Sequence, residues 1–177
     1  PDMQGGGTPL ASHDFFGPKS NEHVSARSAV FRSVDGGASW RRVADLQGAF
    51  WSKLFVHRGT LYFLGTDRHH GNCIIRRSTD GGATWTSPVD SKRGLLRANG
   101  EYHCAPMSVV EHQGRLWRAM EWRRPPIAWG INYRAGMLSI PVDGDLLDAD
   151  QWTFAEFLPS YRAWNGGDMG AWLEGNA

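Results

Sequence analysis

The chain has 177 residues, including 22 glycines, 9 tryptophans and 2 cysteines, and a formal net charge of +1. So even a balance argues against nucleic acid as a partner, because phosphate binding needs a basic stripe. No apolar run approaches the roughly 18–20 residues of a membrane span, and two cysteines, Cys73 and Cys104, set no disulfide framework; both are expected reduced and buried.

In chain order, Leu10-Ala11-Ser12-His13 reads as a strand ending on the acidic Asp14, and a loop over Phe15 to Arg27 carries Glu22 and His23. A strand over Ser28 to Ser33 then runs into Ser33-Val34-Asp35-Gly36-Gly37-Ala38-Ser39-Trp40, where Trp40 opens the next strand. Phe50 to Val56 and Leu61 to Asp67 flank a turn at His57-Arg58-Gly59. After Arg68-His69-His70 comes an apolar run ending Ile74-Ile75-Arg76-Arg77. The first signature then recurs as Ser78-Thr79-Asp80-Gly81-Gly82-Ala83-Thr84-Trp85, forty-five positions on. The pattern restarts at Tyr102-His103, with strands over Cys104 to Val110 and Leu116 to Glu121 around Glu111-His112-Gln113-Gly114. Trp122-Arg123-Arg124-Pro125-Pro126 opens what reads as a long loop reaching Tyr133, expected to wall a pocket. A strand near Gly136 to Ile140, a decayed signature at Val142-Asp143-Gly144-Asp145, one helical turn between Asp145 and Asp150, and a strand opening at Trp152-Thr153-Phe154 complete the third unit. Trp172 to Ala177 reads as the start of another.

Asp-Gly-Gly between strand-like runs is a hairpin turn, since glycine supplies the positive φ required there. The aspartate accepts bonds from backbone N–H groups within the turn, and the tryptophan covers the hairpin with apolar surface. A repeat of roughly 40–50 residues is the spacing of four-stranded propeller blades. The expected fold is therefore all-β, a β-propeller of antiparallel blades. The chain would supply about three and a half blades of a six-bladed ring: a partial first blade over 1–47, a second over 48–98, a third over 99–158 and the start of a fourth over 159–177. On this reading the sequence is a piece of a closed ring, and the remaining blades are its first partner.

Strand direction sorts the loops. In an up-and-down blade the Asp-Gly-Gly turns lie at one end, and the loops after each second strand lie at the other. Those loops begin at Asp14, Asp67 and Glu121, and the blade openings add Trp51, Tyr102, His103, Trp172 and Glu174. Five of the seven histidines fall there: His13, His23, His69, His70 and His103. His57 and His112 fall in the opposite turns. Carboxylates, imidazoles and aromatics at one mouth suit a carbohydrate, whose rings stack on aromatic faces and whose hydroxyls need proton handling. Arg68 and Arg123 could touch an anionic sugar. The adjacent His69 and His70 do not by themselves make a metal site, which needs a third ligand, so neither a metal nor another cofactor is expected.

The signature S-x-D-G-G-x-[ST]-W resembles the Asp-box of bacterial neuraminidases, and both copies match every fixed position. The resemblance to sialidase-like propellers covers the whole chain. It implies an exo-acting glycoside hydrolase for terminal sialic acid or another acidic sugar. It further implies that Glu174 is the glutamate polarising a tyrosine nucleophile beyond Ala177, that Asp14 is the acidic strand end, and that Glu22, with His23, is the acid/base candidate of its loop. A secreted or periplasmic location follows from the resemblance alone. Two alternatives stay open: a propeller polysaccharide lyase using His103 or a tyrosine as base, and a non-catalytic propeller that binds glycan or protein.

Overall fold

A computed structural model of the chain describes residues 10–15, 26–103, 107–128 and 131–155. Its strands are β1 (Leu10–Phe15), β2 (Arg27–Arg32), β3 (Arg41–Gln47), β4 (Phe50–His57), β5 (Thr60–Thr66), β6 (Gly71–Ser78), β7 (Leu95–His103), β8 (Val110–His112), β9 (Arg115–Ala128), β10 (Ile131–Pro141) and β11 (Thr153–Phe154), with one 3-10 turn over Ala149–Gln151. Every pairing among them is antiparallel. Strands β1-β2-β3 form one sheet, and β4 to β11 form a second in the order β11-β10-β9-β7-β6-β5-β4, with β8 on β9.

The run Leu61-Tyr62-Phe63-Leu64 explains how these sheets stack. Side chains of a strand alternate between its two faces, yet all four residues are buried. Leu61 and Phe63 pack on one side with Val30, Leu46, Ala49 and Leu54. Tyr62 and Leu64 pack on the other with Phe55, Cys73, Ile75, Leu96, Met120, Leu138 and Ile140. The second repeat is thus covered on both faces, by the first repeat on one side and the third on the other. At about 1.5–3 kcal/mol for each fully buried large apolar side chain, these two interfaces dominate the stability of the described residues.

Polar contacts fix the spacing of the sheets. Ser28 Oγ donates to the Ala49 carbonyl at 3.0 Å, tying β2 to the start of β4. Buried Arg76 donates to the carbonyls of Gln47 at 2.7 Å, Gly48 at 3.1 Å and Thr86 at 3.2 Å, spanning β6 and the β3–β4 connection. Its burial lowers the guanidinium pKa from the usual value. Between the second and third repeats, Gly94 N donates to Leu147 O at 2.8 Å and Ala149 N to Ser91 O at 2.7 Å. Lys92 Nζ adds Asp148 at 2.9 Å and Asp150 at 2.7 Å.

One sequence expectation is corrected here. The stretch from Trp122 to Tyr133 is not a long loop: β9 and β10 run to Ala128 and from Ile131 as one extended hairpin. Its register is irregular between Tyr133↔Arg123 and Ile131↔Ala128, so Pro125 and Pro126 fall where no ladder bond is demanded of them. Strand β7 is shared between two neighbours. It pairs with β6 from Ile74↔Leu95 to Gly71↔Tyr102, with register shifts on the way, and its end pairs on the other side with β9 (Tyr102↔Trp122, His103↔Glu121).

The two Asp-Gly-Gly hairpins adopt the same bonding. Gly36, Gly37, Gly81 and Gly82 all have positive φ, between 71° and 97°. Ser33 Oγ donates to Asp35 Oδ1 at 2.7 Å and accepts from Gly37 N at 2.8 Å; Ser78 does the same for Asp80 at 2.9 Å and from Gly82 N at 2.9 Å. The hydroxyls of Ser39 and Thr84 donate to the two aspartates at 2.5 and 2.6 Å. Each tryptophan closes its own turn, Trp40 Nε1 onto Gly37 O at 3.1 Å and Trp85 Nε1 onto Gly82 O at 2.9 Å.

These donors hold both carboxyls below the usual carboxylate value, first through the Ser39 hydroxyl for Asp35 and the Thr84 hydroxyl for Asp80, which falls to about 2. A carboxyl whose folded pKa is depressed stabilises the fold above its unfolded pKa and loses that contribution as pH falls through the folded value. We therefore expect the melting temperature to decline from about pH 5 towards pH 2, and the Asp35→Asn/Asp80→Asn double variant to melt lower near neutrality with a flatter acid profile. Thermal melts across that pH range check this; parallel curves for the two proteins would contradict it.

Candidate functional site

The site is built at the end of the sheets opposite the Asp-Gly-Gly hairpins. Strand β4 enters it with a bulge: its register with β5 shifts between Phe50 and Lys53, and Trp51 takes a left-handed φ of 44°. Gly65 permits the bulge. A Cβ there would fall on Ser52 Oγ and lie 2.7 Å from Ser52 Cα. The displaced Trp51 ring rests against His103, with centroids 4.4 Å apart.

The β5–β6 connection supplies two more imidazoles. Neighbouring residues in extended backbone point to opposite sides, but His70 has φ 54°, and its ring lies 3.9 Å from that of His69. Left-handed backbone at a bulky residue costs about 1–3 kcal/mol and persists only where the surroundings enforce it. His69 sets its edge against Phe50 at 5.4 Å. His70 stacks on His103 at 5.0 Å, and His69 is 5.6 Å from His103.

His103 arrives on the end of β7, where it faces Glu121 of β9 across the ladder. His103 Nδ1 and Glu121 Oε2 are 2.8 Å apart, and both side chains are 1% exposed. A carboxylate accepts, so Nδ1 is the donor of this bond. The buried pair fixes the ring orientation.

Of the residues expected at this mouth, Trp51, His69, His70, His103 and Glu121 come together. Asp67 begins the same connection, but its carboxylate organises the turn, accepting from Asn72 N and Asn72 Nδ2, each at 2.8 Å. Arg68 reaches back to Asp67 at 3.4 Å. Tyr102 is not brought to the cluster. It faces the opposite side of β7 from His103, is buried in the core between the second and third repeats, and has its phenol pKa raised by that burial. Arg123 is ion-paired with Glu101 at 2.8 Å. The backbone of His13 and Asp14 lies on β1, with Asp14 opposite Ser28, whose hydroxyl bonds the carbonyl just before Phe50. That puts Asp14 at the same end of the fold as Trp51. Glu22, Trp172 and Glu174 lie outside the described residues. His57 sits at the opposite end as expected, its Nε2 2.7 Å from Val142 O in the decayed signature.

Sequence reasoning missed the pairing of His103 with Glu121, and it expected the adjacent histidines to lack a third ligand. The structure brings a third imidazole beside the pair. One ring nitrogen from each of His69, His70 and His103 lies within 4.8 Å of the others; His70 and His103 are buried and His69 is half-buried. The signal for the first was the β7–β9 register and for the second the Gly71↔Tyr102 pairing of β6 with β7, neither of which local spacing reveals.

No protein-family model matches the chain, and no curated protein matches it. Solved structures do. The chain is similar to an α-L-arabinofuranosidase from Lactobacillus brevis, at 16% identity and TM-score 0.54 over 84% of this chain and 51% of that one. It is similar to an α-L-arabinanase from Penicillium chrysogenum complexed with arabinobiose, at 15% identity and TM-score 0.57 over 88% and 47%. A GH93 α-L-arabinofuranosidase of Fusarium graminearum, also with arabinobiose, aligns at 15% identity and TM-score 0.54 over 84% and 45%. The chain spans about half the length of these structures. The likeness agrees with the sheet stacking above: the fold is that of part of a β-propeller, built of antiparallel sheets.

The bulge makes a stability prediction. Gly65→Ala forces Ser52 and the β4 bulge outward and should cost about 1–3 kcal/mol, as overpacking does. Urea unfolding monitored by tryptophan fluorescence reads this, and an unchanged midpoint would show that β4 does not sit on β5 as described.

Proposed function

We propose that the chain is the sugar-facing part of a propeller glycoside hydrolase. One observation carries the reading: a tryptophan and three imidazoles, with a buried glutamate behind them, gather at one end of a fold similar to that of arabinan-acting enzymes. Trp51 offers a ring face for a sugar to stack on, and polar groups at a rigid mouth fix its orientation.

The catalytic carboxylates of this reading are Asp14 and Glu174, with Glu22 as the acid/base candidate of the first loop. A pair of carboxyl groups flanking the scissile bond protonates the leaving oxygen and supports attack at the anomeric carbon; sialidases replace the carboxylate nucleophile with tyrosine because their substrate already carries a carboxylate there. Two substrate classes follow. The Asp-box resemblance favours terminal sialic acid or another acidic sugar, and the arabinobiose bound by the structural neighbours favours terminal arabinofuranose. In either case the remaining blades of the full-length protein complete the pocket.

Methylumbelliferyl α-sialoside, α-L-arabinofuranoside, rhamnoside and uronide test this with the full-length protein. One reporter should be turned over, and Asp14→Asn and Glu174→Gln should each lower kcat by about 10²-fold or more, in the range of general acid–base contributions. Full rate in both variants overturns the assignment of these carboxylates. A second reading is favoured by the buried His103–Glu121 pair, which is the arrangement of a held base: a polysaccharide lyase. It predicts an unsaturated, ultraviolet-absorbing product from a polyuronide, which hydrolysis does not give. Glycan binding without turnover of any substrate would indicate a binding propeller instead.

A further inference from the structure

We infer that His69, His70 and His103 bind a divalent transition metal ion of the zinc class. The inference rests on the geometry of the three rings and of Glu121 and does not depend on the glycosidase reading.

Three imidazoles are a nitrogen donor set, which suits zinc, copper or nickel, whereas calcium and magnesium take oxygen ligands. Tetrahedral zinc with bonds of 2.0–2.1 Å sets its ligand nitrogens about 3.3 Å apart. The three nitrogens here lie within 4.8 Å of one another, so closure requires movements of about 1.5 Å at most, within reach of imidazole rotation. The backbone is already arranged for it. The left-handed φ of His70 brings two consecutive rings to one side, and the end of β7 adds the third from a different strand.

The second observation is Glu121. Metal-binding histidines characteristically donate their other ring N–H to a carboxylate, which fixes the tautomer and raises ligand basicity. The 2.8 Å contact of His103 Nδ1 with buried Glu121 is that arrangement, and it leaves Nε2 as the ligand atom. A three-histidine set leaves a fourth position for water or for an oxygen of a bound molecule.

The test uses the full chain, free of any affinity tag and stripped with a chelator. Titration with Co(II) should give one equivalent of saturable binding, with the strong visible bands of a four- or five-coordinate ion, displaced by Zn(II). His69→Ala and His103→Ala should each weaken binding by 100-fold or more. Glu121→Gln should weaken it by roughly 10–100-fold, as loss of an outer-shell partner does. His112→Ala, at an exposed turn on the opposite end, should leave it unchanged. A stripped chain that is folded by circular dichroism yet takes up neither metal overturns the proposal. So does binding that survives both His69→Ala and His103→Ala. The reporter panel on stripped and zinc-loaded protein separates the two readings. Metal uptake without turnover upholds this site and counts against the hydrolase; turnover without metal uptake does the reverse.

Discussion

Burial of the second repeat on both faces is the constraint on which the rest depends. Leu61 and Phe63 commit β5 to the first repeat while Tyr62 and Leu64 commit it to the third. A one-residue slip in register would exchange these two sets and misfit both interfaces. With β5 fixed, the ends of β4 and β6 are fixed, and so are the two ends of the stack. The Asp-Gly-Gly hairpins close one end, using carboxylates whose hydrogen bonds are satisfied within their own turns. The other end is free of that task, and the unusual chemistry gathers there.

That chemistry depends on three departures from regular strand geometry. The bulge at Trp51 turns an aromatic ring out of the β4 ladder. The left-handed His70 folds one imidazole back beside its neighbour. Strand β7 shifts register twice along β6 before Gly71↔Tyr102, and its end is held on the other side by β9, which brings His103 to Glu121. Each departure is enforced by packing: Gly65 beneath the bulge, Gly71 against Asp67 and Arg68 in the connection, and Tyr102 anchored in the core behind His103. Strained backbone held by well-packed neighbours is where functional geometry concentrates.

Much of the scaffold was legible in the sequence because its signals are local. Apolar runs on either side of His57-Arg58-Gly59 marked the β4–β5 hairpin, and glycines at Gly59 and Gly81-Gly82 marked turns that need positive φ. The end-to-end sorting of His57 from His69 and His103 followed from strand direction alone. What was not legible is non-local or runs against propensity. The stretch Arg123-Arg124-Pro125-Pro126 has loop composition, yet it belongs to β9 because its prolines sit in an irregular stretch of the ladder. Tyr102 and His103 look equivalent in sequence, but strand alternation sends one into the core and the other to the cluster. Only the register of β7 on β9 reveals that Glu121 is the partner of His103.

The central claim is that one end of the stack, around Trp51, His69, His70, His103 and Glu121, is where ligands act, and that the hairpin end is structural. A crystal structure of the full-length protein soaked with the sugar it binds or releases tests this most directly. The account predicts density for a sugar ring against Trp51, beside the histidine cluster. A sugar seated instead on the Asp-Gly-Gly hairpins around Trp40 and Trp85, with the histidine end bare, would contradict it.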